Sequence, residues 1–103
     1  MLRHFKAELF KMLSHPTRIR ILDALREGEM TVGDLQEKLS VEQSTVSQHL
    51  SALRSKDLVQ GRREGTSVWY MVPDPEIWQL LDIARDIYER QLLHNQASFE
   101  ATR

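Results

Sequence analysis

The spacing of hydrophobic residues predicts α-helices along most of the chain. Apolar residues recur every three or four positions in four stretches before residue 56 and in one long stretch after residue 74, which is the period of an amphipathic helix. The predicted helices cover residues 2–13, 16–27, 32–39, 43–55 and about 75–94. Boundary residues agree, since Pro16 suits a first helical turn, Gly28 a helix end and Asp74 the cap of the last helix. The sequence therefore predicts a mainly α-helical protein.

The period shortens to two between residues 58 and 72. Alternate residues from Val68 to Val72 are apolar or aromatic, and the segment around Gly65 can turn the chain. This pattern predicts a small β-hairpin directly after the fourth helix. Arg62 and Arg63 lie near its tip, where they can reach phosphates or a minor groove.

Residues 31–56 carry the pattern that bears most directly on function. Thr31 can cap the third helix, and Asp34 can return a bond to the cap, as in a capping box. A break of a few residues separates this helix from the fourth. The apolar stripe of the fourth helix consists of Val46, Leu50 and Leu53. Two short amphipathic helices joined by a tight link predict a helix-turn-helix.

The opposite face of the fourth helix is polar but uncharged. Its residues are Gln43, Ser44, Thr45, Ser47, Gln48, His49 and Ser51. Exposed helix faces usually carry Lys and Glu, whereas short polar groups suit close contact with base edges. We therefore predict that the helix at about residues 43–55 enters a DNA major groove. The hairpin at about residues 58–72 is then a wing on the flanking DNA backbone. The alternative for the fourth helix is that its polar face is merely solvated.

Length and composition are those of one globular domain. The chain has 103 residues, of which 41% are hydrophobic and 28% charged. We expect the domain to cover residues 1–94, with a frayed tail at 95–103. No apolar run approaches the ~20 residues that cross a membrane, and residues 1–4 lack a signal core, so we expect a cytoplasmic protein. The absence of cysteine excludes disulfides and thiolate metal sites.

The net charge of −1 does not by itself indicate a nucleic-acid binder. Its distribution is more informative. Residues 1–42 are balanced, residues 43–72 carry +2 and residues 73–103 carry −3. The predicted DNA-facing part is therefore the only basic part of the chain.

No catalytic constellation, phosphate loop or cofactor motif is present, so the sequence does not predict an enzyme. Asp82, Asp86 and Glu89 form an acidic stripe on the last helix, interleaved with arginines. Intrahelical ion pairs on a solvated face account for such a stripe. The alternative is a metal site completed by His4 or His94 of a second copy. We predict no metal and no cofactor.

The chain resembles the ArsR/SmtB family of bacterial winged-helix repressors. Three signatures carry the resemblance, at residues 13–22, at residues 43–54 and at residues 62–65 with Tyr70. They occur in the family's order, and the resemblance covers nearly the whole chain. The sequence departs from the family pattern at Glu42, where the family often has a serine that caps the helix. It also lacks the cysteine pairs and the Asp-x-His pattern of the metal sensors, so it is closer to branches without a recognised metal site.

The resemblance implies a winged helix-turn-helix homodimer, built from the first and last helices, that represses transcription from a near-palindromic operator. The implied and predicted DNA contacts are Gln43, Ser44, Thr45, Ser47, Gln48, His49, Arg54, Arg62 and Arg63. The predicted dimer contacts are Phe5, Leu9, Trp78, Leu81, Ile87 and Tyr88. Core packing is the alternative for Trp78. Trp69 is either exposed on the wing or packed against the partner.

The residues also suggest roles for the arginines of the second helix and leave other functions open. Arg18 and Arg20 could contact DNA, while Arg18 equally suits a helix junction held through a carboxylate. One alternative function is a winged-helix module that binds another protein and has little DNA affinity. Another is a sensor of the same fold that responds to a metal or a small molecule. The sequence identifies no inducer.

Overall fold

The described residues form five α-helices and a two-stranded hairpin. The computed structural model describes residues 1–101, and the side chains of residues 1–97. The elements are α1 (Leu2–Met12), α2 (Pro16–Ala24), a 3₁₀ turn (Leu25–Glu27), α3 (Val32–Leu39), α4 (Gln43–Ser55), β1 (Gln60–Glu64), β2 (Ser67–Met71) and α5 (Glu76–Ala101). This order confirms the predicted mainly helical fold, with a wing between the fourth and last helices.

Local signals set the helix ends that the sequence predicts. Asp34 N donates to Thr31 Oγ1 and Thr31 N donates to the Asp34 carboxylate, each at 3.1 Å, which confirms the capping box of α3. Pro16 opens α2. Gly28 ends the following 3₁₀ turn with a φ of 137°, which glycine adopts without a steric penalty. The helix-turn-helix therefore begins from a well-defined start.

The buried stripe of α4 fixes the orientation of this helix. Val46, Leu50 and Leu53 are at most 1% exposed and belong to one core cluster with residues of α2 and α3. Ile21, Leu22 and Leu35 are the fully buried members from those two helices. Because α4 turns these residues inward, its polar face points away from the core.

Ser40 holds the link between α3 and α4 in a left-handed conformation, with a φ of 55°. This conformation costs a residue with a Cβ roughly 1–2 kcal/mol. Ser40→Gly is expected to raise the free energy of unfolding by about 0.5–1 kcal/mol, after the larger chain entropy of glycine is deducted. Urea denaturation measures the change. Ser51→Gly, inside α4, is the matched control and should lower the free energy of unfolding by a similar amount. A decrease for both variants, or an increase for both, would contradict this account.

The wing is anchored to the helical part at its base. The strands pair in register from Gln60 with Met71 to Glu64 with Ser67, and Gly65, with a φ of 63°, forms a two-residue turn with Thr66. The Tyr70 amide donates to the Met30 carbonyl at 2.8 Å, and the reverse bond is 3.1 Å. This bridge ties β2 to the segment before α3, so the wing has a defined direction relative to the helix-turn-helix.

Helix α5 is docked by its first two turns. Arg26 contacts Asp82 at 2.8 Å and the Trp78 carbonyl at 3.3 Å, and the Trp78 indole N–H donates to the Leu22 carbonyl at 2.7 Å. Beyond Asp82, every side chain up to residue 97 is exposed. The second half of α5 therefore projects from the domain.

α5 is longer than predicted. It continues past His94 to Ala101, because residues 95–101 contain helix-forming Gln, Ala and Glu and neither Gly nor Pro. The expected tail at 95–103 is therefore helical through residue 101, and its last two positions lie outside the described residues. In the part of the chain that the structure describes, no helix is long and apolar enough to cross a membrane.

Candidate nucleic-acid interface

The polar face of α4 is directed to solvent. Gln43, Ser44, Gln48 and Arg54 are exposed, whereas Thr45, Ser47 and His49 are half-buried at its edges. Within residues 1–97, the side chains of Gln43, Ser44 and Gln48 make no hydrogen bond. Their donors and acceptors are therefore available to a ligand without loss of an intramolecular bond. Glu42 occupies the cap position but its side chain does not cap the helix.

His49 is the member of this face that the structure holds in place. Arg18 Nε donates to His49 Nδ1 at 3.1 Å, and the His15 ring lies 5.7 Å from the His49 ring. Burial lowers the pKa of His49, and the neighbouring Arg18 and His15 lower it further. His49 is therefore neutral near pH 7.

Arg18 holds a helix junction, but not through a carboxylate as the sequence suggested. Its Nη1 donates to the Met12 carbonyl at 3.3 Å and lies 3.0 Å from the Met12 sulfur. Met12 is the last residue of α1, whose final carbonyls have no partner inside the helix. An arginine can donate to such a free carbonyl oxygen, just as it can donate to a carboxylate. Arg20 acts similarly on α3, with its Nη2 2.7 Å from the Leu39 carbonyl.

The two wing arginines have different surroundings. Arg62 contacts Glu29 and Glu64, both at 2.7 Å, and these carboxylates raise its pKa further. Arg63 is exposed, and among the described residues no carboxylate lies within 4.0 Å of it. Successive residues of a strand point to opposite faces, so only Arg62 shares a face with Glu64. Of the two predicted wing cations, Arg62 is thus held in ion pairs, and Arg63 is available to a ligand.

Two further cations lie at the end of α4. Arg54 is exposed in the last helical turn, and Lys56 lies 3.8 Å from Glu8 of α1. Arg54 and Arg63 are the cations of the predicted interface without a carboxylate partner among the described residues. Their placement beside an uncharged helix face suits contacts to phosphates on either side of a groove.

Two of the three carboxylates in the acidic stripe of α5 form ion pairs, whereas Asp86 forms none among the described residues. Arg26 lies 2.8 Å from Asp82 and lowers the pKa of that carboxyl, and Arg85 lies 4.0 Å from Glu89. One pair is intrahelical, as the sequence suggested, and the other reaches a separate element. In the described part of the chain, no three His, Asp or Glu residues converge to hold a metal ion.

A second surface is apolar and lies on α1 and α5. Phe5, Ile87 and Tyr88 are 64%, 44% and 61% exposed, whereas Leu9, Trp78 and Leu81 pack partly against the core. We define the α1/α5 surface as Phe5, Ile83, Ile87, Tyr88 and Leu92, all of them exposed. A groove of about 590 Å³ lies beside it, lined in part by Phe5, Leu9, Leu80 and Ile83. The half-buried Trp78 packs against the protomer core and its indole bonds to α2, and its contact with a second copy stays a prediction.

Trp69 is half-buried on the strand face opposite Tyr70, beside Arg62.

The contacts that the sequence did not predict join residues that are far apart in the chain. Arg18 and His49 are 31 positions apart, and Arg62 and Glu29 are 33 apart. No local pattern relates such pairs, because they depend on how the helices cross and where the wing folds back.

Comparison with known proteins gives a consistent picture. A family model described as "Bacterial regulatory protein, arsR family" matches residues 15–60. An uncharacterised HTH-type transcriptional regulator of Mycobacterium tuberculosis, Rv0081, is 41% identical over 99 residues, which span 95% of this chain and 87% of Rv0081. The crystal structure of Rv0081 has a TM-score of 0.82, over 91% of this chain and 95% of that one.

Two other solved structures are similar to this chain. Mb0332 from Mycobacterium bovis, described as a homodimeric winged helix-turn-helix DNA-binding domain, has 31% identity and a TM-score of 0.79 over 90% of this chain and 86% of that one. The transcriptional repressor BigR from Xylella fastidiosa has 35% identity and a TM-score of 0.73 over 80% of this chain and 84% of that one.

Proposed function

Because the chain belongs to the ArsR family of bacterial regulatory proteins, and is therefore a DNA-binding transcriptional regulator rather than an enzyme, we propose that it is a homodimeric repressor of a near-palindromic operator. In this proposal each α4 enters a major groove and each wing contacts the adjacent backbone. The observation that carries it is the exposed, uncharged face of α4, whose glutamines make no hydrogen bond within residues 1–97.

Base recognition is assigned mainly to Gln43 and Gln48. A glutamine amide can donate to adenine N7 and accept from adenine N6 together. Both side chains are exposed on α4. Arg54 and Arg63 are assigned to phosphates, because they are exposed cations that need not give up an internal ion pair. The helix face thus supplies sequence preference, and the two arginines supply affinity for any DNA.

Dimerisation is supported by the α1/α5 surface. Isolated domains rarely leave so many large apolar side chains exposed on adjoining helices. A second copy would cover Phe5, Ile87 and Tyr88 symmetrically. In the proposal, the two α4 helices of such a dimer read the two half-sites of the operator.

The test is binding of purified protein to its own upstream DNA and to random DNA, followed by fluorescence anisotropy across a salt series. A dimer that prefers the upstream DNA, with affinity that falls as salt rises, would support the proposal. Weak binding without preference would contradict it and would favour the protein-binding module.

The two wing arginines should contribute unequally. Arg63→Ala is expected to weaken binding to every sequence by about three- to tenfold and to reduce the salt slope by about 2 per dimer, one for each lost phosphate contact. Arg62→Ala should have a smaller effect, because its guanidinium is already paired with Glu29 and Glu64. Anisotropy titrations on operator and random DNA measure both.

Glu29→Gln provides the complementary variant. It removes one partner of Arg62, so binding to all DNA is expected to tighten by about two- to threefold, the size of an exposed ion pair. Glu27→Gln is the matched control, since it removes the same charge nearby, from a glutamate paired with Lys38. Equal gains from both would show a general charge effect and contradict the role given to the Arg62 pair.

A further inference from the structure

We propose that Arg18 is a positioning residue for DNA recognition, which holds the imidazole of His49 as a hydrogen-bond donor toward acceptor atoms in the major groove. The inference rests on the proposed function and adds a specificity-determining pair to it. Arg18 itself touches no base in this arrangement. It acts through the side chain that it fixes.

The direction of one hydrogen bond determines the tautomer. Arg18 Nε lies 3.1 Å from His49 Nδ1. A guanidinium is always protonated and can only donate, so Nδ1 must be the acceptor. A neutral imidazole with an unprotonated Nδ1 carries its hydrogen on Nε2. Arg18 therefore leaves His49 with an N–H group on Nε2, a ring nitrogen that makes no hydrogen bond among the described residues.

Arg18 is itself held in place. Its Nη1 donates to the Met12 carbonyl at the end of α1, at 3.3 Å. The side chain thus spans from α1 to α4 and has little freedom to leave His49. A donor fixed from both sides orients the ring more firmly than a single contact does, and preorganisation of this kind reduces the entropy lost on binding.

The surroundings of His49 favour its neutral form. The titratable and charged groups that face it are His15 and Arg18 of the α2 start, and both oppose a positive charge on the ring, as does its burial. No carboxylate contributes to the pKa of His49. A histidinium would be attracted to any phosphate by its charge, whereas a neutral ring offers only the hydrogen bond of its single N–H. The cluster therefore reduces the general attraction of this residue for DNA and leaves a donor that can distinguish bases.

The ligand chemistry follows from a neutral donor. In the major groove, guanine offers O6 and N7, adenine N7 and thymine O4 as acceptors, whereas cytosine presents a donor. His49 is half-buried at the edge of the exposed α4 face, beside Gln48. The His49 N–H should therefore favour a purine or thymine and reject cytosine at one position of each half-site.

The tautomer can be measured without DNA. Long-range ¹H–¹⁵N correlation spectra of the free protein distinguish the two ring nitrogens. We expect His49 to have its hydrogen on Nε2 near pH 7 and to titrate below the ordinary pKa of a histidine. Arg18→Gln, a neutral side chain, should shift His49 toward a mixture of tautomers and raise its pKa. A hydrogen on Nδ1 in the unsubstituted protein would overturn the assignment of Arg18.

The role in recognition is tested with two isosteric substitutions at His49, which also cover the case in which Arg18 variants fail to fold. Glutamine places its amide nitrogen near the position of Nε2, whereas asparagine places it near Nδ1. His49→Gln should keep operator preference within about threefold, and His49→Asn should lose about tenfold or more, because the dimer then lacks one single-bond base contact in each half-site. Loss by both to the same extent, or by His49→Gln alone, would overturn the donor role.

The failures of the two proposals are distinguishable. If the unsubstituted protein shows no operator preference, the repressor proposal fails and the recognition role of His49 fails with it, whatever the tautomer. If operator preference is present but His49→Asn retains it, only the role of His49 fails. Circular dichroism of each variant confirms that the fold is kept.

Discussion

Gln48→Ala is expected to reduce the preference for operator over random DNA by about 30-fold or more, with little change in affinity for random DNA. A bidentate amide contact to adenine contributes about 1–3 kcal/mol of discrimination. A dimer makes the contact in both half-sites, so the substitution removes it twice, and about 2–6 kcal/mol is lost in total. Because the Gln48 side chain is exposed on α4 and has no hydrogen bond within residues 1–97, the free protein should keep its stability.

Competition titrations of labelled operator with random DNA measure this preference directly. Gln36→Ala is the matched control, because it removes the same exposed amide from α3, outside the predicted recognition face. It should leave the preference unchanged. If Gln48→Ala weakened operator and random DNA equally, the amide would serve as a general contact and base recognition would have to be assigned elsewhere on α4.

Features set by neighbouring residues were predictable from the sequence. The bond of Thr31 to Asp34, the start of α2 at Pro16 and the inward stripe of α4 depend on residues within one or two helical turns of each other. The fourth helix was predicted with the bounds that it has, Gln43–Ser55. Local rules suffice where the determinants lie close together in the chain.

Features set by tertiary packing were not predictable. Nothing near Arg62 in the sequence indicates that Glu29 will reach it, and nothing near Arg18 indicates a bond to His49. Trp78 was left between core and dimer interface, because a helical pattern shows that a residue is apolar but not what covers it. In the protomer its indole bonds to α2 and the side chain packs partly against the core, and its place in a dimer interface stays a prediction. The residues of a recognition surface can thus be predicted, while their orientation and charge state require the fold.

The distribution of charged partners on the wing and α4 explains how a chain with a net charge of −1 can serve as a DNA-binding regulator. Some acidic residues are paired with cations of the wing and of the segment after α4, as Glu29 is with Arg62 and Glu8 is with Lys56. The cations left unpaired among the described residues, such as Arg54 and Arg63, flank an uncharged helix face. In the proposed binding mode, so few phosphate contacts would place more of the binding free energy in base contacts, which favours selectivity over general affinity.

Ile87→Glu is expected to convert the dimer to a monomer and to weaken operator binding by about 100-fold or more. Ile87 is 44% exposed in the protomer and lies on the α1/α5 surface. A carboxylate there would be buried without a partner when two copies associate, which is unfavourable by several kcal/mol. A monomer contacts one half-site, so it loses the gain of about 10²–10⁴ that comes from two linked contacts. Sedimentation equilibrium and anisotropy titrations measure the two effects.

Leu93→Glu is the matched control for this substitution. It adds the same charge to the same helix at another exposed apolar residue, six residues further on, which lies on the side of α5 opposite the middle of the α1/α5 surface. It should leave both assembly and binding unchanged. Circular dichroism should show that both variants keep their helices, because neither site lies in the protomer core. A dimeric Ile87→Glu variant would remove α5 from the proposed interface. A monomeric variant with full operator affinity would instead contradict the two-half-site mode of binding, since one α4 helix would then account for all the recognition.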